Sequence, residues 1–345
     1  MLFSRARPPI VVPAALLLAL ALVLTGCADT GDDRGNGGEP IRVALDWTPN
    51  TNHLGLFVAQ QAGYFRDAGL DVEFLPYNQT SPDVLVGSGA AEFGVSFQDS
   101  FTYSKAAGAD ITSVMAILQH WATEIAVRAD RPDITRPRDL DGTVFAGFGG
   151  PGETATMQAV IRADGGRGEF RTEVLATAAY EALYAGQADF TLPFVHVEGL
   201  EAQLRGEPLR TFRYTDYGFP DAYNVLLAGN STWLGQNPDR ARAFVQAVQR
   251  GYALAAENPA GAARMLKEAN PGAFTNDELV DRGAAMLARG YLRDGQGRVG
   301  FQTPEKWSAF SGFLYDTGTV AGPDGAPVRQ KPDFATWFTN EYLAP

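Results

Sequence analysis

The 345-residue chain has a single cysteine, Cys27, and three histidines, His53, His120 and His196. A disulfide within the chain needs two cysteines and a thiolate metal centre needs several, so both are excluded. The histidines are far apart and form no H-x₃-H pair, so no metal is expected. Basic residues are also few: 28 Lys and Arg stand against 40 Asp and Glu, a formal charge of −12. Binding to a phosphate backbone needs a basic patch, and nucleic acid is therefore excluded as a partner. The longest apolar run, from Ile10 to Leu24, is about fifteen residues and contains Pro13. That is short of the roughly 20 residues a membrane-spanning helix requires. No nucleophile elbow, triad order or paired-carboxylate spacing stands out, so neither a catalytic residue nor a cofactor is expected.

The amino terminus carries a different signal. Arg5 and Arg7 precede the apolar run, which ends at Leu24-Thr25-Gly26-Cys27, the pattern of a secretory signal followed by a lipobox. Residues 1–26 are read as a cleaved signal peptide and Cys27 as the lipidated residue, the alternative being an incidental buried thiol. Loss of Arg5 and Arg7 takes the formal charge down by two, to −14. A diacylglycerol on Cys27 holds the chain to the membrane from the extracytoplasmic side. Residues 27–40 form the lipidated tether, in which Ala28 to Pro40 contribute four Gly and four acidic residues. About 305 residues follow. With 45% hydrophobic composition they suffice for two lobes with separate cores.

Strand and helix patterns then alternate, which predicts an α/β fold with largely parallel sheets. Strands are expected at 41–45, 72–75, 93–96, 111–117, 124–127, 143–146, 173–175, 190–192 and 223–228. Helices are expected from Leu54, over 81–87, 100–107, 154–164 and 179–185, and strongly at 238–257, 259–268 and 276–289. The two prolines and clustered charges of Asp130 to Pro137 mark a lobe boundary. The chain divides into a first lobe at 41–128, a second at 129–224, and a mainly helical return to the first at 225–345. In open α/β sheets ligands lie beyond the carboxyl ends of the strands, which in two facing lobes meet across a cleft. The loops aimed at the cleft are 47–53, 96–99 with Gln98, 147–153, 193–196 and 218–224.

The most informative of these is Leu45-Asp46-Trp47-Thr48-Pro49-Asn50-Thr51-Asn52-His53. An indole supplies a stacking face, while Asp46, Asn50, Asn52 and His53 supply hydrogen-bonding groups for a flat polar heterocycle. The competing reading is a turn in which Pro49 fixes φ, the asparagines bond their own backbone and Trp47 packs in the core. Gly147-Phe148-Gly149-Gly150-Pro151-Gly152 formally matches a dinucleotide fingerprint, but Pro151 removes a backbone donor where phosphate would want one. The preferred reading is a close-approach turn that presents Phe148 and brings Glu153 to the cleft as an acceptor for N–H groups. A first-turn carboxylate complementing the helix dipole is the alternative. Phe194 and His196 follow the strand at 190–192. Asp221, Tyr223 and Asn224 are candidates for the opposite wall or for turn chemistry. His120-Trp121 is expected as a packed pair near the hinge.

The string Leu45 to His53, with Gly63-Tyr64-Phe65, Gly69-Leu70, Gly87-Ser88-Gly89, Phe93-Gly94-Val95-Ser96, Gly108 and Gly152-Glu153, resembles the thiamine-pyrimidine-synthase-like substrate-binding proteins. That resemblance implies a type II periplasmic-binding-protein fold and an ABC importer, with permease and ATPase subunits as partners and a monomeric binding protein. It implies a small heterocyclic ligand, formylaminopyrimidine or hydroxymethylpyrimidine, with riboflavin or a sulfonate as alternatives from related subgroups. One branch of the family is an enzyme that builds the pyrimidine from pyridoxal phosphate and its own histidine. Its cysteine-rich stretch aligns with Phe219-Pro220-Asp221-Ala222-Tyr223, and its lysine and histidine with Ser96 and Ser100. Binding is therefore expected rather than synthesis.

Overall fold

The computed structural model describes residues 39–150 and 152–345. The expected signal peptide, Cys27 and all of the tether before Glu39 lie outside the described residues.

Among the described residues, ten strands form two sheets: β1 (Ile41–Ala44), β2 (Val72–Leu75), β3 (Phe93–Ser96), β4 (Ile111–Ala116), β5 (Ile125–Arg128), β6 (Val144–Gly147), β7 (Arg171–Val174), β8 (Phe190–Thr191), β9 (Leu209–Phe212) and β10 (Leu226–Asn230). The first sheet runs β2-β1-β3-β10-β4 and the second β7-β6-β8-β5-β9. In the first, β1, β2 and β3 are parallel and β10 is antiparallel to both its neighbours. In the second, β6, β7 and β8 are parallel and β5 is antiparallel to β8 and β9. Each sheet thus holds one reversed strand. It is the strand that has just crossed from the other lobe.

This placement moves the lobe boundary. The strand expected at 124–127 pairs with β8 and β9, so the chain crosses between Ala116 and Ile125 and not at residue 129. Asp130 to Pro137 is a surface turn within the second lobe, held by Arg131 to Asp133 and Asp189 and by Arg136 to Asp164. Two crossing segments are laced together. The Ile117 and Leu118 amides both donate to the Val225 carbonyl, and the Ala122 amide donates to Asn224 Oδ1 at 2.7 Å.

Burial explains the strand composition. β3 and β10 are buried along their whole length, so they read as continuous apolar and small residues rather than as an alternation. Within β3, Gly94 lets the helix Pro82–Gly87 lie close: a Cβ there would meet Val86 Cγ2 at 2.9 Å and Pro82 Cβ at 3.0 Å. The first core spreads from Ile41, Val43, Phe93 and Val95 to Phe244, Val248 and Tyr252 of the helix Pro238–Glu257. The second gathers Ile125, Phe145, Val160 and Phe190, and takes in Phe310 and Leu314 from the helix Pro304–Asp316.

Candidate functional site

The site begins with how its first loop is held. Asn50 caps the turn Thr51–His53, its side chain accepting from the Asn52 amide at 2.8 Å and donating to the Thr48 carbonyl at 3.1 Å. His53 is fully buried; its Nε2 lies 2.7 Å from Asp46 Oδ1, and its Nδ1 accepts from the Asn50 amide at 3.2 Å. With Nδ1 as acceptor, the imidazole proton sits on Nε2 and points at Asp46. Behind the loop, the Tyr252 hydroxyl donates to the Asn52 carbonyl at 2.6 Å. The helix that follows, Leu54–Gln61, meets Pro238–Glu257 glycine to glycine, a Cβ on Gly251 falling 2.0 Å from the Gly55 carbonyl oxygen. The turn chemistry expected for Asn50 and the ligand-facing role expected for the loop are therefore compatible.

A cavity of about 580 Å³ lies between the lobes. From the first lobe come Asp46, Trp47, Asn50, Asn52, Tyr77, Asp83, Ser96, Asp99, Ser100 and Ser104. From the second come Phe148, Gly149, Gly150, Glu153, Tyr180, Phe194 and Glu198, with Trp121, Thr123, Tyr214 and Asn224 from the crossing region. Trp47 is half-buried against Tyr77, ring centres 5.1 Å apart. On the other wall Phe148 lies 5.6 Å from Tyr180. Aromatic faces are thus available on both lobes.

Five carboxylates line this cavity, and no Lys, Arg or His among the described residues does. Asp83 is 2% exposed, its Oδ2 accepting from Ser104 and its Oδ1 without a partner. Burial pushes its carboxyl up from the usual 3.8 to about 6 against the hydrogen bond from Ser104. Burial likewise raises Glu198 to about 7, although its Oε2 accepts from the Phe194 amide at 3.0 Å. Asp99 is raised for the same reason. Glu153 is raised by burial too, partly offset by three backbone N–H groups that it accepts from Phe148, Gly149 and Gly150. Its carboxylate is engaged by its own loop, which the expectation of a free acceptor did not foresee.

Five expected residues do not line the cavity, each for a definite reason. His53 stands behind Asp46. His196 is fully buried, its Nε2 paired to Asn52 Oδ1 at 2.7 Å, and burial lowers its pKa to about 3. Gln98 is consumed by the hinge, its Oε1 accepting from the Tyr223 amide at 2.9 Å. Tyr223 is buried beside Trp307, its hydroxyl accepting from the Thr303 amide at 2.8 Å. Asp221 faces Lys306 Nζ at 2.7 Å and His120 Nδ1 at 2.6 Å. Burial alone would raise its carboxyl, but those two partners hold it at about 2. His120 accordingly hydrogen-bonds Asp221, while Trp121, expected to pack with it, lines the cavity instead. Trp121, Tyr77, Asp83, Tyr180 and Glu198 were not expected. They lie on separate segments that only the topology brings together.

A family model described as "NMT1/THI5 like" matches residues 50–262. The chain belongs to the NMT1/THI5-like family. It is 27% identical over 309 residues to a formylaminopyrimidine-binding protein of Halalkalibacterium halodurans, covering 87% of this chain and 92% of that one. It is 24% identical to the 4-amino-5-hydroxymethyl-2-methylpyrimidine phosphate synthase THI13 of Saccharomyces cerevisiae, covering 89% and 88%. Among solved structures, the alkanesulfonate-binding protein SsuA from Xanthomonas axonopodis pv. citri bound to MOPS superposes with a TM-score of 0.66 at 15% identity, covering 88% of this chain and all of that one. The two-lobed architecture is the periplasmic-binding-protein fold. Within the family match, Ser96 and Ser100 face the cavity at the positions where the synthase branch is expected to carry lysine and histidine.

Proposed function

We propose that this chain is the extracytoplasmic, lipid-anchored solute-binding protein of an ABC importer, and that its ligand is a thiamine pyrimidine precursor, formylaminopyrimidine or hydroxymethylpyrimidine. The observation that carries the reading is the lining of the cleft. Among the described residues it offers aromatic faces on both lobes and, for polar contacts, carboxylates and neutral groups without a cation. A flat aminopyrimidine suits that chemistry, since its exocyclic amino group and its substituent's N–H or O–H donate to carboxylates while its faces stack. A sulfonate does not, because an anion there would meet Asp83, Asp99, Glu153 and Glu198 with no counter-charge. The relative that binds formylaminopyrimidine supports the same choice.

The ring would enter the open cleft against Trp47, and closure about the crossing segments would bring Phe148 and Tyr180 over it and exclude water. The Asp221, Lys306 and His120 cluster fastens the crossing to the helix Pro304–Asp316, leaving the lobes to move as bodies. Synthesis of the pyrimidine is disfavoured on chemical grounds. No lysine among the described residues lines the cavity to form a Schiff base, and none of the three histidines is there to be consumed.

Titration of formylaminopyrimidine, hydroxymethylpyrimidine, thiamine and riboflavin into wild type, Trp47→Ala and Glu198→Gln tests the reading. For a pyrimidine, both substitutions weaken binding, each by about 1 to 3 kcal/mol. Tight riboflavin binding that depends on Trp47 alone, with no measurable pyrimidine binding, overturns the ligand while leaving the importer reading in place.

A further inference from the structure

The Gly147–Gly152 segment has the glycine pattern of a phosphate loop, yet the function proposed above uses only the ring of its Phe148. Its backbone does what such loops do: the Phe148, Gly149 and Gly150 amides converge on one point. Three converging N–H groups at the start of a helix, here Glu153–Ala163, make an anion nest. The anion in it is the chain's own. Glu153 Oε2 accepts from Phe148 and Gly149 at 2.9 and 3.2 Å, and Oε1 from Gly150 at 3.0 Å.

We propose that Glu153 is a specificity-determining residue that fills this nest and so closes the cleft to phosphorylated ligands, which restricts the protein to the dephosphorylated form of its heterocycle. The ring identity rests on the reading above; the exclusion of phosphate does not. The turn is shaped around the carboxylate. A Cβ on Gly147 would fall 2.8 Å from Glu153 Oε2, and one on Gly150 would fall 2.9 Å from Oε1. Gly149 adopts φ +91°, a left-handed conformation that lets the turn close.

Phe148, Gly149, Gly150 and Glu153 all line the cavity, so a phosphate on a bound ring would be presented to a nest already occupied. To enter, it would have to expel a carboxylate that then has three lost hydrogen bonds and faces the charge of Asp99. No Lys or Arg among the described lining residues would compensate the dianion. The distinction matters within this family. One relative is named for binding formylaminopyrimidine, others for making a pyrimidine phosphate, and the two kinds of molecule differ in that group.

The test compares hydroxymethylpyrimidine, its monophosphate and inorganic phosphate on wild type, Glu153→Ala and Glu153→Ser, by calorimetry for the pyrimidines and ³¹P line broadening for phosphate. Wild type is expected to prefer the free alcohol by about a hundredfold or more, and the preference to fall at least about tenfold in Glu153→Ala through tighter binding of the monophosphate. Inorganic phosphate should broaden with the variant and not with wild type. Equal binding of alcohol and monophosphate by wild type overturns the proposal without any variant. An unchanged preference in whichever variant folds does the same. If neither pyrimidine binds any form, the ring assignment has failed and inorganic phosphate decides alone: broadening with Glu153→Ala or Glu153→Ser supports the nest, and its absence refutes it.

Discussion

At the scale of single residues, the cleft keeps buried carboxyl groups that have no cationic partner among the described residues. Asp83 is the clearest, with one oxygen unpartnered and its pKa raised by burial from 3.8 to about 6. The folded state therefore binds this proton more tightly than the unfolded chain does. Its contribution to stability is fully present below about pH 4 and is lost as pH rises through about 6. Asp83→Asn removes the charge without removing the shape. Relative to wild type, the ligand-free variant should gain on the order of 1 to 3 kcal/mol at pH 7.5 and almost nothing at pH 3.5. Urea midpoints at the two pH values measure this; an equal difference at both would show that Asp83 does not titrate in the folded state. The raised Glu198 shares the direction, so a donor-rich ligand that satisfies both groups should reduce the wild type's own pH dependence.

At the scale of elements, the binding loop depends on a helix crossing far from it in sequence. Helix Leu54–Gln61 continues from the loop, and it seats against Pro238–Glu257 through Gly55 and Gly251, while Tyr252 holds the Asn52 carbonyl. Gly251→Ala puts a methyl 2.0 Å from the Gly55 carbonyl oxygen, a backbone atom that can move only with its helix. Such overpacking should cost about 1 to 3 kcal/mol of stability, read from the urea midpoint, and the displaced loop should weaken ligand binding in the same variant. Binding at wild-type strength by a destabilised Gly251→Ala would separate the crossing from the site.

This coupling also marks what the sequence could and could not disclose. Trp47 to Asn52 and Phe148 to Glu153 are contiguous clusters between a strand and a helix, so their place at the cleft was readable. His53 and His196 carry the same chemistry but point backwards, one to Asp46 and one to Asn52, and periodicity does not reveal which way a loop side chain turns. Asp83 and Trp121 look unremarkable in their own segments. The misplaced lobe boundary has a similar origin: Pro132 and Pro137 signal a break in secondary structure, whereas the lobe to which Ile125–Arg128 belongs is decided by hydrogen bonds to strands more than sixty residues away.

At the scale of the whole molecule, the proposed function puts anchoring and binding in different parts of the chain, Cys27 at the amino terminus and the cleft between two lobes. No helix among the described residues is long and apolar enough to cross a membrane. With Cys27 as the proposed lipid anchor, Cys27→Ser should move the protein from the membrane to the soluble fraction and leave its ligand affinity unchanged; membrane retention of the variant, or binding weakened by about tenfold, would contradict that division. The central claim concerns the cleft itself, a cavity that the described residues line with carboxylates and aromatic faces and without a cation. Its most direct test is calorimetric titration of the wild-type protein with formylaminopyrimidine and, separately, with an alkanesulfonate. The account predicts one-to-one pyrimidine binding with a Kd below about 1 μM and no heat from the sulfonate. Saturable sulfonate binding with no response to the pyrimidine would contradict it.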